Sequence, residues 1–218
     1  MPAVLITGAN RGIGLEFARQ YAADGWEVVA TVRESSSELD ALGVRIETLD
    51  MRDLDSVARF GERLDSLDLL IANAGTYGPR SPETGEDGDA WLETFAVNTV
   101  APYLLARSVL PLVAAGNGKL IAITSKMGSI DDNGSGGYIA YRSSKTALNS
   151  AWRSLAIDNR GKIVAAVLHP GWVQTRMGGA SAPTEPEESI SGMRRVIAGL
   201  GPEQSGRFFS YDGSEIPW

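Results

Sequence analysis

Short apolar runs, bounded by glycine or aspartate and separated by longer segments with helical spacing, recur along the whole chain. They lie at residues 4–7, 27–32, 44–49, 67–72, 119–124, 163–168 and 207–210. Apolar runs of this length without alternation are typical of strands that are buried on both faces. Because parallel strands need crossover connections, the alternation predicts an α/β fold with a doubly wound, seven-stranded parallel sheet and helices on both faces.

The length and composition favour one globular domain over residues 1–218. A chain of 218 residues is long enough for one sizeable core and too short for two ordinary domains. Hydrophobic residues make up 43% and charged residues 22%, which excludes disorder or coiled coil as a description of the whole chain.

The charge and the rare residue types exclude several classes of function. Twenty basic and 27 acidic residues give a net charge of −7 without a basic run, so we expect no nucleic-acid or membrane partner. With no cysteine and one histidine, the chain lacks a disulfide framework, a thiol nucleophile and the ligands of a thiolate or histidine-rich metal site. We predict no metal centre. The first residues lack a signal-peptide pattern and no run of 18 apolar residues occurs, so a cytoplasmic location is expected.

A glycine-rich turn follows the first predicted strand and opens the first helix. Residues 7–14 read Thr-Gly-Ala-Asn-Arg-Gly-Ile-Gly, with glycines at 8, 12 and 14. Glycine allows the backbone to turn sharply and to approach a pyrophosphate, which then lies at the helix N-terminus. The position between strand and helix favours a dinucleotide site over a plain tight turn, and the missing lysine excludes a P-loop.

The end of the second predicted strand bears on the choice of dinucleotide. Val32 stands where a carboxylate would bind a ribose 2′-hydroxyl, Arg33 follows it, and Arg11 lies in the glycine turn. Two guanidinium groups suit a 2′-phosphate, which favours NADP. Solvated surface arginines are the alternative, and Glu34 is a carboxylate that would allow NAD instead.

A tyrosine and a lysine lie four residues apart, at Tyr141 and Lys145, which places them on one face of a helix. Ser125 ends the predicted strand before them. Tyr138 lies closer in sequence to Ser125 but is followed four residues later by Arg142, which does not exchange protons as a lysine does. We therefore predict Tyr141 as the acid–base group.

The order of these motifs resembles the classical short-chain dehydrogenase/reductase family, from residue 4 to about residue 175. The matching residues include the glycine turn, Asn-Ala-Gly at 73–75, Pro-Gly at 170–171 and the set Asn98, Ser125, Tyr141 and Lys145. Within the family, the glycine-rich loop at 128–137 and the segment 213–218 look most like those of C-factor and sniffer-type carbonyl reductases.

The resemblance implies a Rossmann fold and an NADPH-dependent oxidoreductase that reduces an aldehyde, ketone or quinone. It implies catalytic roles for Asn98, Ser125, Tyr141 and Lys145, with Asn98 holding a water that links Lys145 to solvent. It also implies a homodimer or homotetramer. The cofactor-binding residues expected on both grounds are Gly8, Asn10, Arg11, Gly12, Ile13, Gly14, Arg33, Asp50, Met51, Asn73, Ala74, Gly75, Tyr141, Lys145, Pro170, Gly171, Val173 and Thr175.

Three stretches are predicted to be irregular: an acidic loop at 81–88, the glycine-rich loop at 128–137 and a lid-like loop at 176–188. His169 precedes Pro170 and is expected to be structural, while Trp172 is expected in the core or at the substrate pocket. Two other functions compete with reduction: a nucleotide-binding sensor or signalling protein, and a nucleotide-sugar epimerase or dehydratase. The second needs a substrate domain after the last strand, for which too few residues remain.

Overall fold

Seven strands form one sheet in the order β3-β2-β1-β4-β5-β6-β7, in a computed structural model that describes residues 1–218. All neighbouring strands are parallel. The strands are β1 (Ala3–Thr7), β2 (Glu27–Val32), β3 (Arg45–Thr48), β4 (Leu69–Ala72), β5 (Lys119–Ile123), β6 (Val164–His169) and β7 (Phe208–Ser210). The order reverses between β1 and β4, which creates a crevice at the carboxyl ends of these two strands.

Seven α-helices cover the two faces of the sheet. They are α1 (Gly12–Ala23), α2 (Ser37–Asp40), α3 (Leu54–Ala58), α4 (Gly85–Phe95), α5 (Ala101–Ala115), α6 (Ile139–Asp158) and α7 (Pro186–Gly199). Phe17 of α1 and Met193 of α7 lie in the core of one face, and Leu105 of α5 and Trp152 of α6 in the core of the other. The fold is therefore the predicted single-domain Rossmann arrangement, with a buried core on each side of the sheet.

Two of the predicted loops end earlier than the sequence indicated. Helix α4 begins at Gly85, inside the stretch predicted as a loop, because Thr84 and Asp87 form a capping box. The Thr84 hydroxyl accepts a hydrogen bond from the Asp87 amide at 3.1 Å, and the Asp87 carboxylate accepts one from the Thr84 amide at 3.0 Å. Helix α7 begins at Pro186, a residue that suits the first turn of a helix. The glycine-rich loop follows a 3₁₀ turn, Lys126–Gly128, and is otherwise irregular as predicted.

A π-helical segment, Ala96–Val100, joins α4 to α5. The resulting stretch Gly85–Ala115 is long and apolar enough to cross a membrane by length and composition alone. Leu105, Val109 and Val113 on this stretch are fully buried against the sheet, as in the core helix of a globular domain.

Candidate active site

The glycine turn between β1 and α1 has a conformation that other residues do not tolerate. Gly8 and Gly12 have φ angles of +67° and +53°, in the left-handed region that favours glycine. A Cβ atom on Gly14 would lie 2.3 Å from the Gly8 carbonyl oxygen, so α1 approaches the turn more closely than any side chain allows. The backbone of the turn is therefore not covered by side chains at the N-terminus of α1, which lies at the crevice where the strand order reverses.

The Asn-Ala-Gly segment after β4 fixes this turn from the other side of the crevice. The Thr7 hydroxyl accepts hydrogen bonds from the backbone amides of Asn73 and Ala74, both at 3.0 Å. The Asn73 side-chain amide donates to the Thr7 carbonyl at 2.9 Å. These bonds hold the ends of β1 and β4 together, so two of the predicted cofactor motifs meet.

Two arginines stand exposed near the end of β2. Neither Arg11 nor Arg33 forms an ion pair. The pKa of Asp50 is lowered, chiefly by hydrogen bonds from the Arg52 side chain and in smaller part by the charge of Arg33, so Arg33 lies close to the end of β3. Val32, by contrast, is only 4% exposed and packs into the core. A carboxylate at position 32 would therefore have to enter an apolar environment.

The carboxylate of Asp50 is already engaged by this chain. Arg52 donates to both of its oxygens, at 3.1 Å from Nε to each and at 2.6 Å from Nη2 to one. Met51 beside it is buried, and Ile13 on the facing turn is half-buried. The Asn10 side chain donates to the Glu34 carbonyl at 3.1 Å, which links the glycine turn to the segment after β2.

Tyr141, Lys145 and Ser125 come together at the carboxyl end of β5. Tyr141 is 8% exposed and lies on α6 with Lys145, whose Nζ is 5.8 Å from the Tyr141 ring centroid and donates to the Ile123 carbonyl at 2.8 Å. Ser125 caps the 3₁₀ turn and accepts from the Met127 amide at 3.2 Å. The three side chains predicted from the sequence thus surround one point beside the crevice.

Burial shifts both titratable groups of this set toward their neutral forms. Burial raises the pKa of the Tyr141 phenol and Tyr77 adds to the rise, while the nearby Ser125 side chain acts in the opposite direction. Burial lowers the pKa of Lys145 to about 8. In the protein without ligand, Tyr141 is therefore a protonated phenol, the form that donates a proton.

Asn98 lies in the π-helical segment, and its side chain is bound on two sides. Its Oδ1 accepts from the Thr76 amide at 2.8 Å, and its Nδ2 donates to the Thr76 carbonyl at 2.7 Å and to the Ser144 hydroxyl at 2.9 Å. The side chain thereby joins the loop after β4 to α6. A water held at this residue would bind its backbone, where a π-helical segment alters the usual hydrogen bonding.

Tyr138, the alternative acid–base residue, lies next to an arginine, whereas the lysine Lys145 lies next to Tyr141. It precedes α6 with a φ angle of +50°, and the Arg80 guanidinium lies 4.8 Å from its ring centroid. Arg142, four residues later, donates to the carbonyls of Gly136 and Gly137 and so fixes the glycine-rich loop. The geometry favours Tyr141 for proton transfer.

The segment after β6 approaches the glycine turn. A Cβ on Gly12 would lie 3.3 Å from the Thr175 methyl group, so the two segments are in contact. Val173 is buried, and the Ser189 hydroxyl donates to the Pro170 carbonyl at 2.6 Å. Gly171 has a φ angle of +85°. The predicted Pro-Gly motif thus lies on the same side of the crevice as the glycine turn.

His169 and Trp172, in the same segment, form no hydrogen bond with Ser125, Tyr141 or Lys145. His169 has a buried Nδ1 without a hydrogen-bond partner, and its pKa is lowered to about 4, first by burial and then by Lys126. Trp172 is 56% exposed, and its indole donates to the Gly178 carbonyl at 2.7 Å. Trp172 therefore does not pack in the core, and its place at a substrate pocket stays a prediction.

Tyr77 and Arg80 were missed by the sequence reasoning. The Tyr77 ring lies 4.7 Å from the Tyr141 ring, centroid to centroid, and Arg80 lies over Tyr138. Both follow the Asn-Ala-Gly motif closely, which is the one sequence signal that would have pointed to them.

An all-parallel Rossmann sheet, a glycine turn at the strand reversal and a buried Ser-Tyr-Lys set together define a class of nucleotide-dependent oxidoreductases. The family model described as short chain dehydrogenase matches residues 2–186. The chain belongs to the short-chain dehydrogenase family, so the resemblance stated from the motifs is confirmed.

Three similar proteins cover most or all of the chain. The C-signal of Myxococcus xanthus is 46% identical over 154 residues, which span 70% of this chain and 93% of that protein. The carbonyl reductase Sniffer of D. melanogaster superposes with a TM-score of 0.92 at 33% identity, and both chains are covered completely. The NADPH-bound carbonyl reductase from chicken fatty liver gives a TM-score of 0.88 at 34% identity, covering 100% of this chain and 99% of that one.

Proposed function

We propose that this enzyme is an NADPH-dependent carbonyl reductase that converts an aldehyde, ketone or quinone to an alcohol. The observation that carries the proposal is the buried Tyr141, in contact with Ser125 and on the same helix face as Lys145, at the crevice beside the glycine turn. The structural similarity to two carbonyl reductases supports the reaction type.

The residues around the crevice fit a dinucleotide. The positive φ angles of Gly8 and Gly12 and the close approach at Gly14 leave space where a Cβ would otherwise stand. The unpaired Arg33 and Arg11 suit the 2′-phosphate that distinguishes NADP from NAD. The NADPH bound to the chicken reductase is consistent with this choice. Asp50, Met51, Asn73–Gly75, Lys145 and the segment 170–175 complete the proposed binding surface.

The roles of the catalytic residues follow from their protonation and position. The nicotinamide, when bound, supplies a hydride to the carbonyl carbon. Tyr141 donates its phenolic proton to the carbonyl oxygen, because burial keeps the phenol protonated. Ser125 hydrogen-bonds the same oxygen and orients it. Lys145 contacts the nicotinamide ribose and favours return of a proton to Tyr141, while Asn98 holds the water that connects Lys145 to solvent.

A signalling role is the second candidate, because the relative with 46% identity is named C-signal. The intact set of Asn98, Ser125, Tyr141 and Lys145 favours catalysis, since a pure sensor has no use for a proton donor. We expect a cytoplasmic homodimer or homotetramer in either case.

The proposal is tested by following NADPH oxidation with a panel of aldehydes, ketones and quinones, and repeating the panel with NADH. Tyr141→Phe removes the proton donor and little volume, so we expect turnover to fall at least about a hundredfold with NADPH affinity retained. Tyr138→Phe is the matched control and should retain turnover. If Tyr138→Phe abolishes turnover and Tyr141→Phe does not, the assignment is wrong. If no carbonyl is reduced although NADPH binds, the sensor hypothesis is favoured.

A further inference from the structure

One aromatic ring, that of Tyr77, lies beside the proposed proton donor, and a second ring lies beside Tyr77. The ring centroid of Tyr77 is 4.7 Å from that of Tyr141 and 5.9 Å from that of Tyr138. Tyr77 comes from the loop after β4 and Tyr138 from the residue before α6, so Tyr77 joins the Tyr141 ring to an aromatic ring of another segment. Tyr77 thereby extends the aromatic surface of Tyr141 to Tyr138.

The Tyr77 hydroxyl reaches across to the opposite side of the crevice. It donates to the carbonyl of Met177, in the loop after β6, at 3.4 Å. Tyr77 is half-buried, and burial is the main cause that raises its pKa. This hydrogen bond links the loop after β4 to the loop after β6.

Arg80 places a cation at the edge of this aromatic wall. Its guanidinium lies 4.8 Å from the Tyr138 ring centroid, and its charge acts to lower the pKa of Tyr77, so it is close to both rings. Arg80 is exposed and no carboxylate lies within ion-pair distance. The Asp87 carboxylate, seven residues further along the chain, accepts hydrogen bonds from the amides of Glu83 and Thr84 at 3.1 and 3.0 Å.

The Arg80 guanidinium thus lies over a tyrosine ring without an acidic partner, in a chain whose net charge is −7. A guanidinium binds a carboxylate through two parallel hydrogen bonds and still stacks on an aromatic ring, so it can contact both at once. An aromatic ring in turn packs well against tyrosine faces.

We propose that Tyr77, Tyr138 and Arg80 make this enzyme selective for aromatic carbonyl compounds that carry a carboxylate. The proposal rests on the proposed carbonyl reduction and names the substrate class of that site. The substrate ring lies against the two tyrosines, its carbonyl reaches Tyr141 and its carboxylate pairs with Arg80.

The charge part of the proposal is tested with two substrates that differ in one group, 4-carboxybenzaldehyde and its neutral amide, 4-formylbenzamide. We expect kcat/KM with NADPH to be at least about tenfold higher for the carboxylate, and Arg80→Gln to bring this ratio close to one. Arg160→Gln is the control and should leave the ratio unchanged, because Arg160 is exposed in the turn after α6, near the amino ends of β5 and β6.

The aromatic part is tested with benzaldehyde and cyclohexanecarbaldehyde. Tyr77→Leu should reduce the preference for benzaldehyde at least about fivefold, whereas Tyr77→Phe, which removes only the hydroxyl, should retain it. The dissociation constant of NADPH should be the same in all these variants, which shows that they fold.

A binding measurement separates this inference from the proposed reaction. Benzoate and benzamide are titrated calorimetrically into the NADP⁺-saturated protein, and we expect benzoate to bind at least about fivefold tighter, with the difference lost in Arg80→Gln. A kcat/KM ratio or an affinity ratio near one in the unmodified protein overturns the inference, as does a ratio that Arg80→Gln leaves intact. If benzoate binds selectively and no carbonyl is reduced, the recognition surface stands and the proposed function fails.

Discussion

Arg33 is exposed at the carboxyl end of β2 without an acidic partner, which leaves its charge available for a phosphate. We expect NADPH to be preferred over NADH by at least about tenfold in kcat/KM, equivalent to ~1.4 kcal/mol. Arg33→Ala should remove most of this preference, and the remaining effect should shrink as salt is added because the contact is exposed. Arg160→Ala is the charge-matched control.

Equal use of both cofactors by the unmodified protein would show that Arg11 and Arg33 point into solvent. Val32→Asp would place a carboxylate at the end of β2, but it is a poor test of cofactor preference. The Val32 side chain is 4% exposed, so the new carboxylate would be buried and would lower the free energy of unfolding.

Lys145 serves the site at a cost to stability, because burial lowers its pKa to about 8. A lowered lysine pKa means that the folded state gains stability as pH rises from about 8 toward the unfolded value, and that the charged amine disfavours folding at neutral pH. We therefore expect Lys145→Met to keep a free energy of unfolding within about 1 kcal/mol of the unmodified protein at pH 7. Turnover and NADPH affinity should both fall. An unchanged NADPH dissociation constant would contradict the proposed ribose contact.

The glycine turn depends on the close packing of α1 against it, and the same substitution at two glycines tests this dependence. Gly14→Ala places a Cβ 2.3 Å from the Gly8 carbonyl oxygen, so α1 has to move away from the turn. We expect this variant to lose at least about 1 kcal/mol of unfolding free energy and most of its NADPH affinity. Chemical denaturation and fluorescence titration with NADPH measure the two effects.

Gly88→Ala is the control for the same substitution in another helix. Gly88 lies in α4, and a Cβ there meets nothing within 4 Å. Alanine should raise the free energy of unfolding by about 0.5–1 kcal/mol, since it restricts the unfolded chain. If Gly14→Ala binds NADPH normally, the close approach of α1 to the turn is not needed for cofactor binding.

At the scale of the whole molecule, His169 links the stability of the fold to pH. Its pKa is lowered to about 4, first by burial and then by Lys126, while Asp212 and Asp132 act in the opposite direction. Because the folded state binds the proton less tightly than the unfolded chain, the stability that His169 contributes is present above about pH 6.5. It is lost as the pH falls toward 4.

The His169→Asn variant isolates this effect from the many carboxylates that also titrate. We expect the difference in unfolding free energy between the unmodified protein and the variant to fall by about 2 kcal/mol between pH 7 and pH 5. Urea denaturation at both pH values measures it. Parallel pH dependence of the two proteins would mean that the imidazole is solvated in the folded state.

Local patterns in the sequence were sufficient for the fold and for the positions of the main motifs. The apolar run at residues 4–7 predicted a buried strand, and β1 (Ala3–Thr7) is buried at every position. The glycines of the turn after it are required by backbone sterics, because Gly8 and Gly12 have positive φ angles. The capping box at Thr84 is also a local sequence signal, as is the proline at the start of α7, Pro186. Both signals mark the helix starts that the predicted loop boundaries missed.

The tertiary structure alone decided which side chains meet. Tyr77 and Arg80 lie far in sequence from Tyr138 and Tyr141. They meet because the crossover connection through α4 and α5 places β5 beside β4, so that the segments after these two strands are neighbours. The same holds for the orientation of Val32 into the core and for the clamp that Asn98 makes between the loop after β4 and α6. Periodicity and turn chemistry act over a few neighbouring residues, so the sequence by itself determined the elements and their motifs. The environment of each side chain is set by packing between distant elements, so contacts, burial and pKa shifts were decided by the tertiary structure.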